Sequence, residues 1–183
     1  MGFKLIETDL KDLLMIEPDV FGDSRGYFKE TYNHKALSAL GFDKTFVQDN
    51  LSYSQQGALR GLHFQAPPHA QGKLVFVTVG RVLDVVVDIR KSSPTYGQSA
   101  AYELSADNHR MLYVPEGFAH GFSVLSESCI FQYKCTDYYN KASEGGILWN
   151  DPDLAIDWQV ESPIISDKDK ELPLFKDFET PFA

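Results

Sequence analysis

Arg60, His63, Gln65 and Lys73 fall close together, in the stretch LRGLHFQ from Leu59 to Gln65 and the APPHAQGK that follows it. They combine a base that titrates near neutral pH, two cations and an amide. That is the inventory needed to take a proton from carbon and to balance the negative charge this creates. A second histidine, His120, stands in PEGFAHGF, and Tyr133, in FQYKC, is a candidate for returning a proton to the opposite face. A histidine acting as base needs a carboxylate to fix its tautomer, and Asp84, Asp88, Asp167 and Asp169 all qualify on sequence alone. Taken singly, each histidine is equally a core imidazole satisfied by backbone, and Tyr133 an ordinary strand aromatic. What favours a site is the expectation that both histidines lie beside turns opening toward one end of a barrel.

The same residues do not assemble a metal site. Pro115, Gly117 and His120 give the P-x-G-x-x-H half of a metal-binding barrel signature, but His63 is followed by Phe64 and Gln65 where an HxH pair is required. His69 lies beyond two prolines, and two scattered histidines fall short of three or four ligands. The expectation is a site without a catalytic metal.

The elements that must carry these residues are strands. Leu74 onward reads as LVFVTV, VLDVVVDI, AAYEL, RMLYV, FAHGFSVL and CIFQYKC, broken by SSPTYG, SADN, PEG and SES at short, regular intervals with no alternating helices. That spacing predicts an antiparallel sandwich or barrel, read here as a jelly roll. Upstream, GDSRGYF predicts a hairpin with a charged tip, and Asn33 caps a short helix through HKALSAL that Gly41 ends. In FVQDNLSYS, period two places Gln48 and Asn50 on one face of a strand, a polar stripe where a core stripe would be usual. From DYYNKASEGG to the end, weak periodicity and many Asp, Pro and aromatic residues predict ordered arms laid over the barrel. No linker or repeat divides the chain, so residues 1–183 read as a single domain.

Composition narrows the partners. With 17 Lys plus Arg against 26 Asp plus Glu, the formal charge of -9 repels phosphate backbones and argues against general nucleic-acid binding. An anionic small molecule is still accommodated, because Arg25, Arg60 and Lys73 can reverse the sign inside one cleft. The start, MGFKLIETDLKDLL, lacks a basic segment followed by a sustained apolar run, and no apolar run is long enough to span a bilayer. The expectation is a soluble cytoplasmic protein with no membrane partner. Cys129 and Cys135, if on one strand, lie roughly 20 Å apart and cannot pair within it.

The strings FGDSRGYFKETY, FVQDN, LRGLHFQ, QGKLV, VGRVLDVVVDIRKSSPTYG, VPEGFAHGF, ILWNDPDLAIDW and SDKD, in this order, resemble the dTDP-4-dehydrorhamnose 3,5-epimerase family. The resemblance implies an all-β, cupin-type jelly roll with a short N-terminal helix, a homodimer, and no cofactor. It implies dTDP-4-dehydro-6-deoxy-D-glucose as substrate, inverted at C3 and C5. By this resemblance His63 is the base held by Asp169, Tyr133 the acid, and Lys73 the group that stabilises the enolate. Phe21, Arg25, Glu30, Gln48, Asn50, Arg60, His120 and Tyr139 correspond to sugar or nucleotide contacts, with Phe21, Arg25 and Glu30 directed to a neighbouring subunit. Phe76 and Ser99 depart from the pattern, standing where the family commonly has Arg and an aromatic residue. The rival readings are an epimerase of one carbon only, a non-catalytic sugar-binding jelly roll, and a metal-dependent oxygenase or isomerase.

Overall fold

Why the middle of the chain makes a two-layered barrel is visible in which faces each strand buries. The computed structural model describes residues 2–183. Its strands are β1 (Phe3–Glu7), β2 (Leu14–Pro18), β3 (Val20–Asp23), β4 (Gly26–Lys29), β5 (Gln48–Gln55), β6 (Leu59–Gln65) and β7 (Lys73–Val79). They continue as β8 (Arg81–Asp88), β9 (Ser99–Ser105), β10 (Met111–Val114), β11 (Phe118–Val124), β12 (Ser128–Cys135) and β13 (Glu144–Gly146). The two α-helices are α1 (His34–Ser38) and α2 (Asp167–Lys170). A six-stranded sheet, in the order β1-β2-β10-β7-β12-β5, faces a five-stranded sheet, β13-β6-β11-β8-β9, and β3 and β4 form a separate hairpin. Every named strand pairing is antiparallel, and the whole is the cupin-like jelly roll expected from the strand spacing.

Between the sheets lies a core that includes Val75, Val77, Val82, Val86, Leu104, Leu112, Phe122 and Phe131. The continuous apolar runs of β8 and β11 are explained by burial of both faces, since Leu83, Val85, Val87 and Ala119 turn outward into a second cluster. The C-terminal arm covers that cluster with Trp149, Trp158, Phe175, Phe178 and Phe182. A third cluster sits outside the six-stranded sheet, where α1 contributes Leu37 and Met111, Tyr113 and Phe76 close over it. Phe76 is therefore a core residue of this layer. Asn33 caps α1 by accepting the Ala36 N–H, and Gly41, at φ +87°, takes the left-handed turn after it, as the sequence predicts.

Candidate active site

His63 projects from β6 into a cavity of about 550 Å³ between the two sheets. The cavity is also lined by Arg60, Lys73, His120, Tyr133 and Asp169, so five of the sequence candidates converge with His63. The two histidines are not beside turns, as the sequence reading expects; both are within strands, and His63 of β6 pairs directly with His120 of β11. Register accounts for this: an in-facing residue on each of two adjacent strands places the rings next to each other wherever the turns fall. The ladder shifts register between His120 and Phe122, around Gly121. A Cβ at Gly121 would lie 2.6 Å from the Arg60 carbonyl oxygen, and one at Gly61, whose φ is +134°, would lie 2.6 Å from the Gly121 Cα. The two glycines thus let β6 and β11 pass closely enough to hold both histidines at one spot.

Of the four carboxylates open on sequence, the fold selects two. Asp169, on α2, lies 2.7 Å from His63 through Oδ1, with its side chain 5% exposed against 36% for the histidine. A carboxylate partner requires Nε2 to carry the hydrogen, which leaves Nδ1 of the neutral ring with a free lone pair, the atom able to take a proton. Ser166 caps α2 by accepting the Asp169 N–H, so the helix start aims the carboxylate. Burial alone would push the Asp169 carboxyl up, but the His63 hydrogen bond and charge, the Gly61 N–H and Ser166 outweigh it and hold the group below the usual carboxylate range. Asp84, on β8, binds His120 Nε2 instead, at 2.9 Å. Asp88 serves the fold, accepting from Arg90, Ser93 and Thr95, and Asp167 pairs at the surface with Lys170.

Lys73 opens β7 opposite Cys135, and Tyr133 is next on the same inward face of β12. Burial pushes the Lys73 ammonium below its usual range, against the pull of Cys135, Asp84 and Glu144. Burial pushes the Tyr133 phenol up, with Cys135 adding to this and Arg60 opposing it, so at neutral pH Tyr133 keeps its proton and can give it. Arg60 is held by the Ser54 hydroxyl at 3.0 Å and the Tyr53 carbonyl. Among the described residues, no three His, Cys, Asp or Glu side chains cluster closely enough to hold a metal ion.

The remaining candidates lie outside the cavity wall. Gln48 and Asn50 share one face of β5 and hydrogen-bond to each other, with Gln48 also accepting the Tyr139 N–H. Tyr139 is exposed. Phe21 and Arg25 occupy the β3–β4 hairpin, where Arg25 is 87% exposed and pairs with Asp23 of its own turn, while Glu30 follows the hairpin and receives the Asn33 amide. Gln65, read from sequence with the site, instead anchors a loop: its amide donates to the His69 and Tyr138 carbonyls and accepts from Asn140 N–H. Sequence reasoning missed Lys168, which lines the cavity next to Asp169 and pairs with Glu144 of β13 at 2.7 Å. Its only signal was a place in SDKD.

A base with one ring nitrogen uncommitted, a half-buried acid and an ammonium lining one cavity can take a proton from one carbon and return another, with no net change in composition. That is the chemistry of an epimerase or racemase, and this jelly-roll cavity defines a protein of that class. Residues 7–177 match the family model described as dTDP-4-dehydrorhamnose 3,5-epimerase, and the chain belongs to that family. It is 54% identical over 166 residues to the dTDP-4-dehydrorhamnose 3,5-epimerase of Shigella flexneri, covering 90% of this chain and 92% of that one. The Bacillus anthracis str. Ames enzyme of the same name, solved with TDP and PPi bound, aligns with a TM-score of 0.93 at 54% identity, covering 95% of this chain and 100% of that one. The dTDP-6-deoxy-D-glucose-3,5-epimerase of Legionella pneumophila Philadelphia 1, in complex with dTDP-4-keto-L-rhamnose, aligns with a TM-score of 0.93 at 48% identity over 97% of this chain and 95% of that one. The chain is accordingly an isomerase of the dTDP-rhamnose pathway.

Proposed function

We propose that the chain converts dTDP-4-dehydro-6-deoxy-D-glucose to dTDP-4-dehydro-L-rhamnose with His63 as base, Tyr133 as acid, Asp169 orienting the base and Lys73 stabilising the enolate. The 4-keto group acidifies the hydrogens on C3 and C5. His63 Nδ1 takes one of them, and the electron pair of the broken C–H bond moves into the ring and onto the keto oxygen. The half-buried Lys73 ammonium meets that developing charge at the cavity wall, where water screens it less than at the open surface. Tyr133 then gives its proton to the carbon from the opposite face, and the carbonyl re-forms. Solvent resets the imidazolium and the phenolate before the second carbon is treated alike.

The observation that carries this reading is the 2.7 Å His63–Asp169 contact in a cavity shared with Tyr133 and Lys73. Arg60 and His120 sit on the same wall and would hold the sugar and diphosphate. Gln48, Asn50 and Tyr139 would extend the site toward the nucleotide. Phe21, Arg25 and Glu30 would complete the site of a second copy, which makes the working unit a homodimer. The outward Phe21, Tyr27 and Phe28 of the hairpin and Leu51 and Tyr53 of β5 are all exposed and supply apolar surface for that contact. Residues 1–183 act as one cytoplasmic domain, with acid–base groups of the chain supplying the chemistry without a cofactor. Among the described residues no helix is long and apolar enough to cross a membrane.

Incubating the purified chain with dTDP-4-dehydro-6-deoxy-D-glucose and reading the product's configuration from its proton couplings tests the assignment. Inversion at both carbons is expected. Inversion at C3 or C5 alone would make the protein a mono-epimerase, and a bound but unchanged sugar would leave only a binding module.

A further inference from the structure

A second imidazole–carboxylate pair sits in the same cavity, and the reaction as derived makes no use of its carboxylate. Asp84, on the inward face of β8, is fully buried, and both of its oxygens face His120 Nε2, at 3.0 and 2.9 Å. Its in-facing neighbours on the strand, Val82 and Val86, belong to the apolar core. A third aliphatic residue would continue that core at less cost than a buried carboxylate, which must be fully partnered to be tolerated there. Packing therefore gives no reason for Asp84, whereas the ring that it holds does. His120 lines the cavity directly across the strand pair from His63.

We propose that Asp84 is a positioning residue for the epimerisation: it fixes the His120 ring with Nε2–H turned into the barrel and leaves Nδ1 to hold the sugar against His63. The inference rests on the reading of this cavity as the sugar site. Nδ1 of His120 makes no hydrogen bond to the described residues, so it is the nitrogen left for a ligand. The two pairs differ in access. The His63 side chain is 36% exposed and that of His120 only 8%. A base that must follow two carbons in turn needs room to move, while a ring that holds a hydroxyl in place gains from being locked. Burial pushes the Asp84 carboxyl up, and His120 and Lys73 both act against this, so the group sits between two side chains of the cavity wall.

Two measurements test the proposal. In wild-type protein carrying 15N-histidine and saturated with dTDP, long-range proton–nitrogen correlations report which ring nitrogen of His120 bears hydrogen. Hydrogen on Nε2 is expected, and a ring protonated at Nδ1 alone would overturn the proposal. The second measurement compares Asp84→Asn, His120→Asn and the double variant for kcat and KM. Each single change is expected to lower kcat/KM by about 100-fold, the cost of a misplaced substrate. The double variant should then fall no more than about threefold below the weaker single, because both changes remove one function. Losses that multiply, or wild-type kinetics in Asp84→Asn, would show that Asp84 does not act through His120. Should Asp84→Asn fail to fold, the wild-type spectrum decides alone. A wild-type chain without epimerase activity would overturn the cavity reading and this inference together, whereas an active wild type with the wrong His120 tautomer overturns only the latter.

Discussion

Replacing Asp169 by Asn removes one negative charge and leaves the shape of the site almost unchanged. In the wild type the carboxylate is 5% exposed, accepts from His63 Nε2 at 2.7 Å, and receives the Gly61 N–H at 3.4 Å through its other oxygen. An asparagine can present its NH2 to the imidazole, which would favour hydrogen on Nδ1 and so occupy the lone pair proposed to take the substrate proton. It also leaves the developing imidazolium without a counter-charge. A charge-assisted hydrogen bond in a poorly hydrated site, lost together with the correct tautomer, is worth about 2 to 4 kcal/mol. That corresponds to a kcat lower by roughly 30- to 1000-fold. KM should stay within about threefold, since in the proposed mechanism Asp169 orients the base and does not bind the sugar. The assay is initial-rate conversion of dTDP-4-dehydro-6-deoxy-D-glucose across pH, with thermal unfolding of both proteins alongside. Because the Asp169 carboxyl titrates lower in the folded chain than in the unfolded one, its contribution to stability is present above the ordinary carboxylate range near pH 4 and is lost as pH falls through the folded value. The Asn variant should lack that acid-limb loss. A variant with more than a third of wild-type kcat, or one that changes only KM, would refute the dyad as the source of the base.

Three further outcomes follow from the same geometry. Gly61→Ala should be destabilised by more than about 4 kcal/mol, with Tm lower by on the order of 10 °C, because its Cβ meets the Gly121 backbone at 2.6 Å and its φ of +134° disfavours a side chain; calorimetry checks this. Asp88 is held at about 2 by Arg90, Ser93 and Thr95 despite its burial, against an ordinary 3.8. It should therefore contribute about 2 kcal/mol above pH 4 that disappears toward pH 2, and Asp88→Asn should flatten that part of a urea-unfolding pH series. If Arg25 completes the neighbouring copy's site, mixing inactive His63→Ala with Arg25→Ala subunits should restore about a quarter of wild-type activity, since each mixed dimer regains one intact site; no restoration would place Arg25 outside the partner's site.

Much of the barrel was legible because its strands announce themselves by composition and its turns by SSPTYG, SADN, PEG and SES, and these fall between β8 and β12 as read. The hairpin at GDSRGYF, the Asn33 cap and the shared face of Gln48 and Asn50 are local patterns, and local patterns survive folding. Pairing across the fold was not legible. Nothing in LRGLHFQ or FAHGFSV says that His63 will meet His120, because register depends on how β6 and β11 are brought together. The choice among four aspartates was equally closed to residue type: Asp169 wins because Ser166 starts a helix that points it at His63. Gln65 was misjudged for the converse reason, since an amide fit for a ligand is equally fit to tie down a loop, and its direction in the pleat decided the matter. Lys168 and Glu144 carry no pattern at all until β13 and α2 are set side by side.

The most direct test is proton NMR of dTDP-4-dehydro-6-deoxy-D-glucose in D2O with the wild-type chain and with His63→Ala. Deuterium should enter at both C3 and C5 with the wild type and at neither with His63→Ala, while the variant still binds dTDP. Exchange that persists at both carbons in His63→Ala would contradict the assignment of His63 as the base.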